Sequence, residues 1–156
     1  MSSRTIVIGD VHGCSDELQD LLKILAPTPE DQLVSVGDLI CKGPDSRGVM
    51  EWAMNAGNLR CVLGNHELRH LSHWKRGSAS EEKPYDAETT RQLGERREDC
   101  MRFIARWPLY LVASGCTVVH AGFDPRGGPL SRQAPEDLVN MRDLKTTGKP
   151  WYEGYK

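Results

Sequence analysis

The sequence lacks any long apolar run, and it has no excess of one charge. No stretch approaches the roughly 20 apolar residues that a membrane-spanning helix needs, and the opening segment MSSRTIVIGD turns polar too early for a secretory signal. The 20 basic and 22 acidic side chains leave a net charge of −2, which gives little attraction for nucleic acid or an anionic membrane. We therefore expect a cytoplasmic protein that binds neither nucleic acid nor membrane.

Cysteine is present, but its spacing does not suggest a structural role. The five cysteines are an odd number, and no two of them form a CxxC pair. A disulfide framework or a structural zinc site normally shows an even count or tight spacing, so we expect reduced thiols. With 156 residues, of which 38% are hydrophobic, the chain fits a single domain over residues 1–156.

Three short apolar segments each end in glycine followed by Asp or Asn. They read TIVIGD, QLVSVGD and RCVLGN, and their last residues are Asp10, Asp38 and Asn65. Between them, leucine spacing and a capping serine predict a helix over Ser15–Leu25, and apolar spacing predicts another over 46–57. Strands that alternate with helices indicate a parallel sheet, and ligands gather at the carboxyl ends of its strands. We expect the three polar side chains to meet there.

The pattern changes after Asn65. HELRHLSHW predicts a helix whose His66, His70 and His73 have the spacing of a helix-borne zinc site, although His70 and His73 also fit a helix surface or the rim of a cleft. The polar segment 75–88 is expected to be a mobile loop, and 89–107 returns to helix. PLYLVASGCTVVHAG predicts a hairpin ending at His120, which by itself also fits a hydrogen-bonded core histidine.

Four glycine-flanked motifs carry the candidate chemistry. GDVHG, GDLICKG, GNHE and VVHAG each place Asp, Asn or His beside glycine just after a predicted strand. Glycine permits a sharp turn and close backbone approach, and the neighbouring side chains are ligands for hard or borderline metals. Two metals ~3.5–4 Å apart are a common arrangement for in-line displacement at phosphorus.

In this order, the four motifs resemble those of the calcineurin-like metallophosphoesterases, and most of all the bacterial branch of the phosphoprotein phosphatase family. The resemblance implies an α/β (α+β) fold, a four-layer αββα sandwich of two mixed sheets with helices outside. It also implies a further metal-binding histidine after another strand, but no histidine follows His120. We therefore expect the chain to lack the C-terminal part of the domain; the other interpretation is that the second metal is weakly held.

The resemblance assigns roles to individual residues. Two divalent metals are implied, with Mn²⁺ expected and Fe or Zn²⁺ as alternatives, and their ligands are Asp10, His12, Asp38, Asn65 and His120. Asp38 would bridge the metals, a bridging hydroxide would be the nucleophile, and His66 would be the general acid. Lys42, Asn65 and Arg142 would bind the substrate phosphate; Lys42 stands where the family usually has arginine and lacks its two-pronged grip.

Cys41 departs from the family pattern. The family usually has an aspartate there that hydrogen-bonds the catalytic histidine, and a neutral thiol would support His66 less well. Since general acid catalysis is worth ~10²–10⁴ in rate, we expect a slow phosphatase or one that prefers good leaving groups.

Three functions follow from the resemblance and its departures. The first is hydrolysis of phosphomonoesters in Ser, Thr or Tyr phosphoproteins or in small molecules. The alternative is hydrolysis of dinucleoside polyphosphates of the diadenosine tetraphosphate type, whose leaving group would tolerate a weakened His66. The second alternative is a weakly active or non-catalytic domain that binds metal or a partner.

Overall fold

The first half of the chain alternates strands and helices, and the second half is mainly helical with one hairpin. A computed structural model describes residues 3–77 and 83–154. The strands are β1 (Thr5–Ile8), β2 (Gln32–Ser35), β3 (Leu59–Cys61), β4 (Tyr110–Ala113) and β5 (Cys116–Val119). The helices are α1 (Ser15–Leu25), α2 (Ser46–Asn55), α3 (Asn65–Arg76), α4 (Pro84–Leu93), α5 (Arg97–Ile104) and α6 (Pro135–Asn140). Three 3₁₀ turns cover Gly94–Arg96, Leu130–Arg132 and Trp151–Gly154.

The first sheet is parallel, in the order β1-β2-β3. Helices α1 and α2 connect its strands, because parallel neighbours need a crossover. Helix α1 has the predicted bounds, although its N-cap residue is Cys14 and no side chain caps it; α2 ends two residues before the predicted limit. All three strands end at one edge of the sheet, and the site is built there.

The two faces of this sheet bury different partners. Ile8 and Cys61 point into the main core, which includes Leu18 of α1, Val49 of α2 and Leu71 of α3. On the other face, Val34 and Val62 pack against the β4–β5 hairpin in a second apolar cluster. The hairpin turns at Ser114 and Gly115, both with positive φ, as a type I′ turn requires.

The α/β class with two sheets and helices is confirmed. Within the described residues the first sheet is wholly parallel and the second wholly antiparallel. In the same ranges, no helix combines the length and the apolar character needed to cross a bilayer.

Two expectations about the region after Asn65 are wrong. His70 and His73 are not at the surface, since they are only 1% and 6% exposed. The segment 75–88 is not simply a mobile loop: α4 begins inside it at Pro84, with Asp86 in a capping box. Residues 78–82 of that segment lie outside the described ranges.

Candidate metal centre

One carboxylate oxygen forms the centre of the site. Asp38 Oδ2 lies 3.7 Å from His12 Nε2, 3.6 Å from His120 Nε2 and 3.9 Å from His66 Nε2. Asp10 joins the group, since its Oδ2 is 3.6 Å from His12 Nε2. Metal bonds of about 2.0–2.2 Å leave neighbouring donor atoms about this far apart. We call Asp10, His12, Asp38, Asn65 and His120 the donor cluster.

Unusual backbone conformations aim these side chains. His12, Asp38, Cys41 and Lys42 all have positive φ, between 51° and 76°, a region that non-glycine residues seldom occupy. These residues lie in the loops after β1 and after β2. Backbone hydrogen bonds join the two loops, from the His12 N–H to the Asp38 carbonyl (2.8 Å) and from the Gly43 N–H to the His12 carbonyl (2.7 Å). Such strain persists only where the surrounding structure holds it, and it is common at functional sites.

Glycine is required at position 64, where α3 approaches Asp38. A Cβ on Gly64 would collide with the Asp38 carboxylate and its backbone nitrogen. This close approach allows the backbone N–H of His66, at the start of α3, to donate to Asp38 Oδ1 at 3.0 Å. One oxygen of Asp38 is thus held by the start of α3, and the other faces the histidines.

Glu67 of the GNHE motif has a structural role that the sequence did not reveal. It is fully buried, and its carboxylate accepts hydrogen bonds from the backbone N–H groups of Asp38 (2.8 Å), Ile40 (3.2 Å) and Gly64 (3.1 Å). Burial and the nearby Asp38 raise the pKa of Glu67 above its usual value. Glu67 therefore fixes the loop after β2 to the start of α3.

The two donor-cluster histidines have the same hydrogen-bonding pattern. His120 Nδ1 lies 2.8 Å from the Val36 carbonyl, and His12 Nδ1 lies 3.3 Å from the Ile40 carbonyl. A carbonyl can only accept, so each Nδ1 carries the proton and each Nε2 keeps a lone pair. A backbone acceptor behind the ring is the usual support of a metal-bound histidine. His120 thus has the hydrogen bonding expected of a metal ligand, and its Nε2 lies beside Asp38.

Asn65 also offers a free donor atom. Its Nδ2 donates to Asn140 Oδ1 at 3.3 Å, while its buried Oδ1 has no hydrogen-bond partner in the described part of the chain. A buried, unpaired oxygen is costly, and a hard cation is one ligand that would satisfy it. Asn140 of α6, which sequence reasoning missed, sets the orientation of this amide.

His66 is hydrogen-bonded in the opposite sense. Arg69 Nη2 lies 2.8 Å from His66 Nδ1, and a guanidinium group can only donate. Nδ1 therefore accepts, and the proton of the neutral ring is on Nε2, which faces Asp38. Burial and the positive charges of Arg69 and Lys42 lower the pKa of His66 to about 3.

All eight predicted site residues line one cleft of about 290 Å³. Lys42 and Arg142 are exposed, so two cationic side chains stand at its wall, where they would attract an anionic phosphate. Lys42 Nζ donates to His12 Nε2 at 2.9 Å. A larger cavity near the amino ends of the strands, of about 490 Å³, has no charged side chain in its lining and offers no comparable chemistry.

Cys41 does not take the contact expected from the family pattern. Its Sγ lies 3.0 Å from His70 Nε2 and 3.6 Å from Asp86 Oδ1, whereas the partner of His66 Nδ1 is Arg69. Burial raises the pKa of the Cys41 thiol to about 12. The thiol is therefore neutral and packs behind His66 as part of a buried polar group. The helix-borne zinc arrangement of His66, His70 and His73 is not among the groups of close metal-type donors in the described residues.

The donors fit divalent metals. His12, Asp38 and His66 present atoms that all lie within 4.8 Å of one another, and the lone pairs of His12 and His120 and the unpaired oxygen of Asn65 add to this set. The donors are carboxylate, amide and imidazole, a combination suited to Mn²⁺, Fe or Zn²⁺.

The comparisons with known proteins agree with this geometry. The sequence profile of the calcineurin-like phosphoesterases matches residues 3–155. The chain belongs to that family. Its members use two divalent metals, and the predicted family and fold class are confirmed.

Two curated relatives with the same name resemble this chain. The chain is 38% identical over 126 residues to the symmetrical bis(5'-nucleosyl)-tetraphosphatase of Salmonella paratyphi C, covering 78% of this chain and 44% of that protein. It is 36% identical over 150 residues to the protein of the same name from Vibrio parahaemolyticus, covering 94% and 54%. The chain thus spans about half the length of these relatives.

Solved structures give the same picture. A crystal structure provisionally assigned to a diadenosine tetraphosphatase matches the whole chain with a TM-score of 0.82 at 30% identity, over 72% of that protein. A serine/threonine phosphatase from Saccharomyces cerevisiae matches 89% of this chain with a TM-score of 0.59 at 19% identity, over 46% of that protein. This second likeness shows a shared fold only.

Proposed function

We propose that this chain hydrolyses dinucleoside polyphosphates, with diadenosine tetraphosphate as the test substrate. The likeness to curated symmetrical bis(5'-nucleosyl)-tetraphosphatases carries the proposal. A phosphoprotein substrate, the first function expected from the sequence, has no support among these relatives. The family and the donor cluster both support a metal-dependent phosphoesterase domain.

The residues of the cleft suit this reaction. Asp10 and His12 would hold one metal, Asn65 and His120 the other, and Asp38 would share its carboxylate between them. When bound, the two cations, most simply Mn²⁺, supply Lewis acidity at phosphorus and lower the pKa of water. Lys42 and Arg142 would bind the non-reacting phosphate oxygens.

The hydrogen bonding of His66 also suits the hydrolysis of a phosphoanhydride bond. Water adds its oxygen to phosphorus, the bridging P–O bond breaks, and the departing oxygen belongs to a nucleoside phosphate. That oxygen is far less basic than a serine alkoxide, so it needs only the hydrogen bond that a neutral Nε2–H donates. Symmetrical cleavage would give two molecules of adenosine diphosphate. The five cysteines, none in a disulfide, fit the cytoplasmic location expected from the sequence.

The experiment compares diadenosine tetraphosphate with a phosphoserine peptide in the presence of Mn²⁺. We expect a higher kcat/KM on the dinucleotide and adenosine diphosphate as the sole nucleotide product. A preference for the phosphopeptide would overturn the proposal in favour of a phosphoprotein phosphatase. Metal binding without turnover of either substrate, across a series of divalent ions, would support the non-catalytic alternative.

A further inference from the structure

A second group of polar side chains lies on the Nδ1 side of His66, and the proposed reaction gives it no role. It consists of Cys41, Arg69, His70 and Asp86, which we call the rear cluster. Three of these residues are no more than 1% exposed, and Arg69 is half-buried. Buried polar groups are costly unless they are paired, so their arrangement calls for an explanation.

Arg69 connects the rear cluster to the cleft. It follows His66 by three residues on α3, a spacing that places the two side chains on one face of the helix. Besides its 2.8 Å contact with His66 Nδ1, its Cζ lies 5.4 Å from the centre of the Tyr85 ring. The His66 ring is 5.6 Å from the same tyrosine, so α4 packs against both partners.

Asp86 holds Arg69 in place. Arg69 Nε donates to Asp86 Oδ2 at 2.8 Å, and Nη2 donates to Oδ1 at 2.7 Å, a two-pronged pair with little freedom to rotate. The carboxylate also accepts from the Lys83 N–H at the start of α4. One guanidinium group thus bridges a fixed carboxylate and the His66 ring.

The thiol at position 41 is compatible with this arrangement, and a carboxylate would not be. Cys41 Sγ is 3.6 Å from Asp86 Oδ1. A carboxylate there would place two negative charges side by side in a buried pocket with one arginine, which is unfavourable. The departure at position 41 therefore agrees with an acid supplied instead by α4.

We propose that Arg69, held by Asp86, is a positioning residue that fixes the His66 ring and keeps its proton on Nε2, facing the cleft. The inference rests on the proposed function only for the use of that proton; the hydrogen bond itself is independent of the substrate. Arg69 acts through His66. It lies on the Nδ1 side of the ring, where the family pattern predicts an aspartate, but it donates to Nδ1 where an aspartate would accept.

The first test reads the tautomer and needs no substrate. In ¹⁵N-labelled protein at neutral pH, two-bond ¹H–¹⁵N spectra should show His66 as the Nε2–H tautomer. The variants Arg69→Leu and Asp86→Asn should shift or average the His66 nitrogen signals. Arg76→Leu is the control, because Arg76 is exposed on the same helix and, within residues 3–77 and 83–154, donates to the Ser72 carbonyl and not to His66; it should leave them unchanged. The inference would be overturned if His66 of the wild-type protein were the Nδ1–H tautomer, or if its nitrogen signals were the same in both variants as in the wild type.

The second test reads catalysis with diadenosine tetraphosphate and Mn²⁺. Loss of a group that orients a catalytic residue typically costs about 10–100-fold, so Arg69→Ala should lower kcat to that extent with little change in KM. Guanidinium ion should restore part of the activity lost in Arg69→Ala, and it should not change the activity of the control Arg76→Ala, which we expect to equal that of the wild type. Arg69→Lys keeps the charge but not the fork, and we expect it to remain impaired. Full activity in Arg69→Lys and Arg69→Ala would contradict a positioning role. If the wild-type protein turns over no phosphoester, the proposed function fails, while the spectra still decide the inference.

Discussion

The donor cluster and the rear cluster use the same kind of side chain in opposite ways. In the donor cluster, backbone carbonyls accept from Nδ1 of His12 and His120, and the lone pairs on Nε2 face the cleft. In the rear cluster, Arg69 donates to Nδ1 of His66, and a proton faces the cleft instead. We infer that the group behind each ring, more than the residue type, separates the proposed metal ligands His12 and His120 from the proposed hydrogen-bond donor His66.

The largest effect is expected at Asp38. Its Oδ2 faces His12 and His120 of the donor cluster, and it also faces the Nε2 of His66, whose other nitrogen contacts the rear cluster. Asp38→Asn keeps the oxygen that accepts from the His66 N–H but removes the shared charge. Metals contribute several kcal/mol to such reactions, so we expect hydrolysis of diadenosine tetraphosphate to fall by about 10³-fold or more. Asp20→Asn, at an exposed position on α1, is the control. Wild-type turnover and metal content in Asp38→Asn would contradict the assignment.

Substitution of each histidine by glutamine tests whether the Nδ1 partner separates His66 from His12 and His120. His66→Gln should lower kcat by about 10²-fold, the lower end of the range for general acid catalysis, because only a hydrogen bond to the leaving oxygen is lost, and it should not weaken Mn²⁺ binding measured by calorimetry. His12→Gln and His120→Gln should weaken Mn²⁺ binding directly. If His66→Gln loses metal as readily as the other two, the distinction drawn from Nδ1 partners is wrong.

A smaller effect is expected where α3 touches Asp38. Gly64→Ala places a methyl group against the Asp38 carboxylate, and forced overpacking typically costs about 1–3 kcal/mol. Urea unfolding should show this loss together with reduced activity. Gly57→Ala is the matched control, since a Cβ there meets no atom within 4 Å. Equal stability of the two variants would mean that the contact relaxes without cost.

The smallest effect at neutral pH concerns His70 of the rear cluster, because it develops only as the pH is lowered. Burial lowers the pKa of His70 to about 4, against about 6.5 when unfolded. Between these values the unfolded chain binds more protons, so the free energy of unfolding should fall as pH decreases, by up to about 1.4 kcal/mol per pH unit for one proton. His70→Gln should show a shallower fall in unfolding experiments from pH 7 to 4. An unchanged slope would assign the dependence to other groups.

The donor cluster was predictable because strand periodicity and glycine spacing are local signals. An apolar segment that ends in glycine and a polar residue indicates both a strand and the edge to which it leads, so Asp10, Asp38 and Asn65 could be placed together. Glu67 was visible within GNHE, but its three backbone contacts depend on how α3 meets the loop after β2. Their detection needed coordinates.

The rear cluster was not predictable in the same way. Arg69 and Asp86 are 17 positions apart, and Asp86 lies in a polar stretch expected to be a mobile loop. One local signal was available there: Lys-Pro-Tyr-Asp places proline at a first helical turn and an acid at a capping position, which indicates the start of a helix.

The sequence by itself determined the parallel strands, the metal-type donors at their ends and the family to which they belong, because these follow from short-range spacing. The tertiary structure alone decided which nitrogen of His12, His66 and His120 carries a proton. That choice depends on the group behind each ring. The carbonyls behind His12 and His120 come from positions 28 and 84 residues away, and Arg69, although only three residues from His66, is held there by Asp86, 17 positions further along the chain.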